Sequence, residues 1–60
     1  MKQIFYEADG RFESRIYQDG EKYLGKVADS EITEKKICSS FDEAYEFIQT
    51  KKNELNLLNW

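Results

Sequence analysis

Residues 9–20 read Asp9-Gly10-Arg11-Phe12-Glu13-Ser14-Arg15-Ile16-Tyr17-Gln18-Asp19-Gly20, one strand-length segment held between two Asp-Gly pairs. An Asp-Gly pair supplies the positive backbone angles of a type I′ turn, whose twist matches two antiparallel strands. With each pair at the centre of a two-residue turn, three strands follow at about 2–8, 11–18 and 21–28. A weaker turn signal, Asp29-Ser30-Glu31, adds a fourth strand at about 32–38, and no proline interrupts any of them.

The pairing imposed by these turns sorts the side chains. Phe12 is expected opposite Glu7 and Val27, and Ile16 opposite Tyr23. One face then collects Phe5, Phe12, Ile16, Tyr23 and Val27, with small Ser14 and Gly25 between them. A slip of one residue would scatter this set over both faces. For strand four, a three-residue turn places Ile37 beside Tyr23 on the core face, with Lys35 near the rim. A tighter turn would bring Ile32 inward instead.

Beyond the strands, Ser40-Phe41-Asp42-Glu43 fits a capping box, in which the serine hydroxyl accepts from the third helical amide and Glu43 reaches back. Asp42 and Glu43 also suit the positive end of the helix dipole. Phe41, Ala44, Tyr45, Ile48 and Leu55 recur at helical spacing as one apolar stripe. The helix is expected at about 41–54, with Lys51 and Lys52 at its negative end, followed by an apolar tail at 55–60. The expected fold class is α+β: an antiparallel three- to four-stranded β-meander followed by one C-terminal α-helix packed on one sheet face, in a single domain spanning 1–60.

Sixty residues stand near the lower limit of independent stability, since roughly 60% of the unfolded surface is buried at this size. Every large apolar residue is therefore weighed first as core. The single cysteine, Cys38, has no internal disulfide partner, and no basic start followed by an apolar run marks a signal peptide. No apolar stretch approaches the length of a membrane span. These features predict a complete, stand-alone cytoplasmic chain with no membrane partner. The net charge of −3 argues against nonspecific nucleic-acid binding by the molecule as a whole.

No catalytic constellation emerges. Histidine is absent, which removes the usual general base and the commonest metal ligand. Cys38 lacks an activating base and reads as a packing residue. Asp42, Glu43, Glu46 and Glu54 read as the wet face of the helix, because a working carboxylate pair needs a desolvated cleft. Asp29, Glu31 and Glu34 match no calcium loop. Gly10, Gly20 and Gly25 are isolated and form no phosphate-cradling loop. The expectation is no enzyme, no metal site and no cofactor.

Binding surfaces are better supported. The expected outer face of the sheet carries Lys2, Ile4, Tyr6, Ala8, Arg11, Glu13, Arg15, Tyr17, Lys22, Leu24 and Lys26. If Ile32, Glu34, Lys36 and Cys38 follow on strand four, six basic residues face two acidic ones. Tyr6, Arg15, Tyr17, Lys22, Leu24 and Lys26 are the candidate contact residues. Two functions compete for them. One is docking on a protein, with tyrosine and arginine as anchors and the acidic turns complementing a basic partner. The other is nucleic-acid binding, with tyrosines stacking on bases and cations on phosphates. A third reading is structural: lysine and arginine stems simply cover a mixed outer face. Leu57, Leu58 and Trp60 form a candidate interaction tail, unless they fold back to close the core. The first strand, with few charges, is an open edge available to a partner or a twin, so monomer and homodimer both stand open.

The order of strands and then a helix opening with Phe41, Asp42 and Ala44 is loosely similar to integrase arm-binding domains and to a class of plant DNA-binding domains. Those domains are normally basic and often carry a strand tryptophan, and this chain departs on both counts. Small HicB-type antitoxins end a sheet similarly but carry a Pro-Gly-Cys segment that is missing here. In size, acidity and lack of catalytic groups the chain also resembles phage or mobile-element inhibitors, anti-CRISPR proteins among them, a likeness carried by no motif. No family is identified. The preferred expectation is a small non-catalytic module acting by protein–protein contact as an inhibitor or adaptor of a larger protein, one that handles nucleic acid if the acidic turns set the choice. The alternative is a nucleic-acid-binding domain that uses the outer sheet face.

Overall fold

Both Asp-Gly corners turn the chain in the computed structural model, which describes residues 1–58. They form hairpins between β1 (Lys2–Asp9), β2 (Phe12–Asp19) and β3 (Lys22–Ala28). A fourth strand, β4 (Thr33–Cys38), completes an antiparallel sheet in the order β1-β2-β3-β4, and α1 (Phe41–Leu58) packs on one face of it.

The turns differ from expectation in one respect. Asp9 and Asp19 remain in their strands, paired with Phe12 and Lys22, so the two-residue loops are Gly10-Arg11 and Gly20-Glu21. Only the glycines have positive φ, +62° and +64°, which is the sign pattern of a type II′ turn and not type I′. Each register is consequently displaced by two residues: Glu7 pairs with Ser14, Ser14 with Val27, and Ile16 with Gly25. Because side chains alternate with a period of two, this even displacement keeps β2, β3 and β1 from Phe5 onward on their expected faces. Phe12, Ile16 and Val27 are buried, and Phe5 and Tyr23 pack against them.

Two strands break the expected alternation. In β1 the register shifts between Gln3 and Phe5, a bulge at Ile4 that puts Gln3 opposite Tyr17 and Lys2 opposite Gln18. Gln3 thereby takes the outer position expected of Lys2 and Ile4. In β4 the inward residues are Glu34, Lys36 and Cys38, paired with Val27, Gly25 and Tyr23, whereas Ile37 pairs with Leu24 and points outward. The cause lies in Asp29. Its Oδ1 accepts from the amides of Glu31 (2.8 Å) and Ile32 (2.7 Å), and its own N–H donates to the Ile32 carbonyl (2.8 Å). Ile32 is thus held in a four-residue loop, one longer than expected, and that single residue reverses both faces of β4.

The helix begins as its capping residues require. Ser40 Oγ accepts from the Glu43 amide at 3.1 Å. Glu43 reaches back to the N–H and hydroxyl of Ser39, at 2.8 and 2.9 Å, one residue earlier than in the usual capping box. These bonds, the Ser39 amide first, hold the Glu43 carboxyl below its ordinary pKa. A depressed carboxyl pKa stabilises the fold above its unfolded value, and that contribution is lost as pH falls through the folded value. The urea midpoint of the wild type is therefore expected to decline more steeply than that of Glu43→Gln between about pH 6 and about pH 3. Parallel curves would show that the cap carries no proton linkage.

The core seam consists of Ala44, Ile48 and Leu55 from α1 against Phe12, Ile16, Val27 and Cys38. The helix continues past its expected end because Leu55 stays buried, and Leu57 and Leu58 extend it. What the Leu57 and Leu58 side chains and Trp60 do as an interaction tail lies outside the described residues. α1 lies mainly over β3, with β4 and β2 beside it. It comes so close to Gly25 that a Cβ there would stand 3.2 Å from both the Ala44 carbonyl oxygen and a Phe47 ring carbon.

The core also holds two polar residues. Ser14 is fully buried, and among the described residues its hydroxyl has no hydrogen-bond partner. A buried hydroxyl without a partner carries its desolvation cost uncompensated. Ser14→Ala is therefore expected to be neutral or to stabilise by up to about 1 kcal/mol in urea denaturation; a clear loss would reveal a bond made by that hydroxyl. Lys52, only 6% exposed, occupies the stripe position one turn beyond Ile48. Its ammonium donates to Glu7 at 3.1 Å and Asp9 at 3.2 Å, both on the inner side of β1. Burial opposes its charge, yet the two carboxylates outweigh burial and hold its pKa above the ordinary lysine value. With the helix extended to Leu58, Lys51 and Lys52 do not occupy its last turn; Arg11 instead supplies a cation there by donating to the Leu55 carbonyl at 3.0 Å.

Candidate functional site

Among the described residues no element covers the sheet face opposite α1, and its cross-strand pairs arrange it in rows. One row runs Tyr6–Arg15–Lys26–Lys35 and the next runs Gln3–Tyr17–Leu24–Ile37. A third, Ala8–Glu13–Ala28–Thr33, flanks the first, and Asp19 pairs with Lys22 at the opposite end. Neighbouring members of a row stand one strand spacing apart, about 4.8 Å. An aliphatic and aromatic row therefore lies against a cationic one.

All six candidate contact residues, Tyr6, Arg15, Tyr17, Lys22, Leu24 and Lys26, belong to this face. Tyr6 is 48% exposed, and the Arg15 guanidinium sits 4.9 Å from its ring centroid. Arg15 also pairs with Glu13 at 3.5 Å, and the Tyr6 hydroxyl approaches the same carboxylate at 3.5 Å. Tyr17, Leu24 and Lys26 are half-buried, and Lys22 is exposed. Arg11 leaves the expected set. Its guanidinium stacks 4.9 Å from the Phe12 ring and bonds to the end of the helix, because the turn projects it past the sheet toward α1.

Lys35 and Ile37 join the face, and Glu34, Lys36 and Cys38 leave it. Ile37, 67% exposed, is among the most exposed of the large apolar side chains. One signal favoured this arrangement: Cys38 and Ile37 cannot face the same way, and cysteine is the residue type more often fully buried. The face carries four cations, Arg15, Lys22, Lys26 and Lys35, against two anions, Glu13 and Asp19. Its balance is +2, not the expected +4, so the remainder of a chain with net charge −3 holds −5. At one end Met1, Asp19, Lys22, Leu24, Lys35 and Ile37 border a groove of about 390 Å³.

Other candidates look different in place. Cys38 is buried, with burial first and the Glu43 charge second pushing its thiol pKa up, so it is poorly suited to act as a nucleophile. The open edge of β1 contains the Ile4 bulge, a feature that disturbs strand addition. Phe41 and Tyr45, 36% and 40% exposed, reach the β1 side chain Phe5 and are not fully buried in the stripe as expected. Phe5 meets both rings edge-on, at centroid distances of 6.0 and 5.7 Å. Among the described residues no three His, Cys, Asp or Glu side chains gather as a metal site, and no helix is long and apolar enough to cross a membrane.

Compared with protein-family models, with curated proteins and with solved structures, the chain matches none.

Proposed function

We propose that this protein is a non-catalytic binding module that works by protein–protein contact, as an inhibitor or adaptor, and that the outer sheet face is its docking surface. The observation that supports this reading most directly is the row Tyr17–Leu24–Ile37, its first two members half-buried and Ile37 67% exposed, on a face the helix does not cover. Apolar side chains beside cations, bordered by a groove, have the make-up of an interface centre with a charged rim. A rigid sheet of this kind would act by occlusion.

The test is a capture experiment with variants that spare the core. Ile37→Glu is expected to keep the wild-type circular dichroism and urea midpoint while losing a partner retained by the wild type from its native cell extract. Glu46→Lys, on the exposed side of the helix, is expected to retain it. Equal retention by Ile37→Glu would sink the reading. A second reading, nucleic-acid binding, is supported by the cation row Arg15–Lys26–Lys35. It requires a labelled single-stranded oligonucleotide to bind with affinity that falls steeply with salt, and Arg15→Ala with Lys26→Ala to abolish binding.

A further inference from the structure

We infer that the occupant of the outer face is an acidic, amphipathic segment of a partner protein, lying along the cross-strand rows; this rests on the docking reading above. Arg15, Lys26 and Lys35 are direct cross-strand neighbours on one face. Like charges placed directly opposite destabilise a sheet. A single glutamate at either lysine position would relieve the repulsion within the chain. Among the described residues Arg15 has such relief, from Glu13. Among the described residues neither Lys26 nor Lys35 forms an ion pair. Three adjacent cations with one anion form a site whose complement is a line of carboxylates.

The neighbouring row distinguishes the source of those negative charges. Tyr17, Leu24 and Ile37 are centred on the face, and the groove beside Leu24 and Ile37 extends this apolar strip. Nucleic acid gains from free aromatic rings on which bases stack. Here one face of the Tyr6 ring is already taken by Arg15, and the centre of the strip is aliphatic. A peptide segment satisfies both rows: apolar side chains cover Tyr17, Leu24 and Ile37 with one entering the groove, while its carboxylates meet Arg15, Lys26 and Lys35. Lys22, on the far side of the strip, would meet a carboxylate on the other flank.

The probe is a library of random displayed peptides selected against the folded protein, with the winners titrated into isotope-labelled protein and followed by amide shifts. The expected winners combine Asp or Glu with Leu, Ile or Phe and shift Tyr17, Leu24, Lys26, Lys35 and Ile37. Lys26→Glu with Lys35→Glu is expected to weaken them at least about tenfold, and exchanging the peptide carboxylates for lysines to restore binding to that variant. Winners that bind this face without acidic excess, or equally well after charge reversal, would overturn the acidic segment and leave the docking face standing. Absence of winners, or shifts confined to α1 or the strand edges, would overturn both. A short single-stranded DNA that displaces the peptide and shifts the same amides would assign the face to nucleic acid and overturn both as well.

Discussion

Ile48→Ala is expected to lower stability by about 2–5 kcal/mol, the range for deleting most of a buried isoleucine. Ile48 has no exposed surface and lies on the seam of α1 toward the sheet, in the cluster that includes Ile16 and Val27. At roughly 0.05–0.15 kcal/mol per residue, a domain of this length holds only about 3–9 kcal/mol in all. The substitution therefore removes about a fifth or more of the fold's stability, and at the upper end unfolds it. Urea denaturation followed by circular dichroism measures the loss, and Ile48→Val, expected to cost about 0.5–1.5 kcal/mol, provides a graded control. A loss below about 1 kcal/mol for the alanine variant would mean that the helix is not anchored through this side chain.

Gly25→Val is expected to destabilise by about 1–3 kcal/mol through overpacking, although valine favours strands and glycine does not. The sign depends on the space above the strand. A Cβ at this position would lie 3.2 Å from the Ala44 carbonyl oxygen and 3.2 Å from Phe47 Cδ2, and valine places two further carbons in the same gap. The Phe47 ring can swing aside, but the Ala44 oxygen belongs to the helix backbone and moves only with α1. Loss of stability accompanied by amide shift changes at Ala44 and Phe47 is the expected outcome. A variant as stable as the wild type would show that α1 rides higher over β3 than these distances indicate.

Much of the fold was legible because the relevant signals are local. Gly10 and Gly20 mark turns since positive φ suits glycine, and the alternation of β1 to β3 places Phe5, Phe12, Ile16, Tyr23 and Val27 on one side. That conclusion survived an error in turn type, because the two-residue displacement it caused preserves parity. A displacement of odd measure, one extra loop residue before β4, exchanged Ile37 for Cys38 in the core and so brought Ile37 and Lys35, expected inward, onto the outer face. The six candidate contact residues on β1, β2 and β3 were spared, while Arg11 and the Ile4 bulge could be placed only from contacts along and across the sheet.

By itself the sequence determined the first two hairpins, the faces of β2, β3 and β1 from Phe5 onward, and the start of the helix at Ser40, because each depends on residues a few positions apart. Tertiary structure decided how far α1 runs, where Arg11 points, and that Lys52 enters the core. Those outcomes rest on partners distant along the chain: Leu55 is 44 residues from Arg11, and Glu7 and Asp9 lie 45 and 43 residues from Lys52. A lysine on a helix looks solvent-facing until two carboxylates from another strand compensate its burial, and no local pattern encodes that meeting.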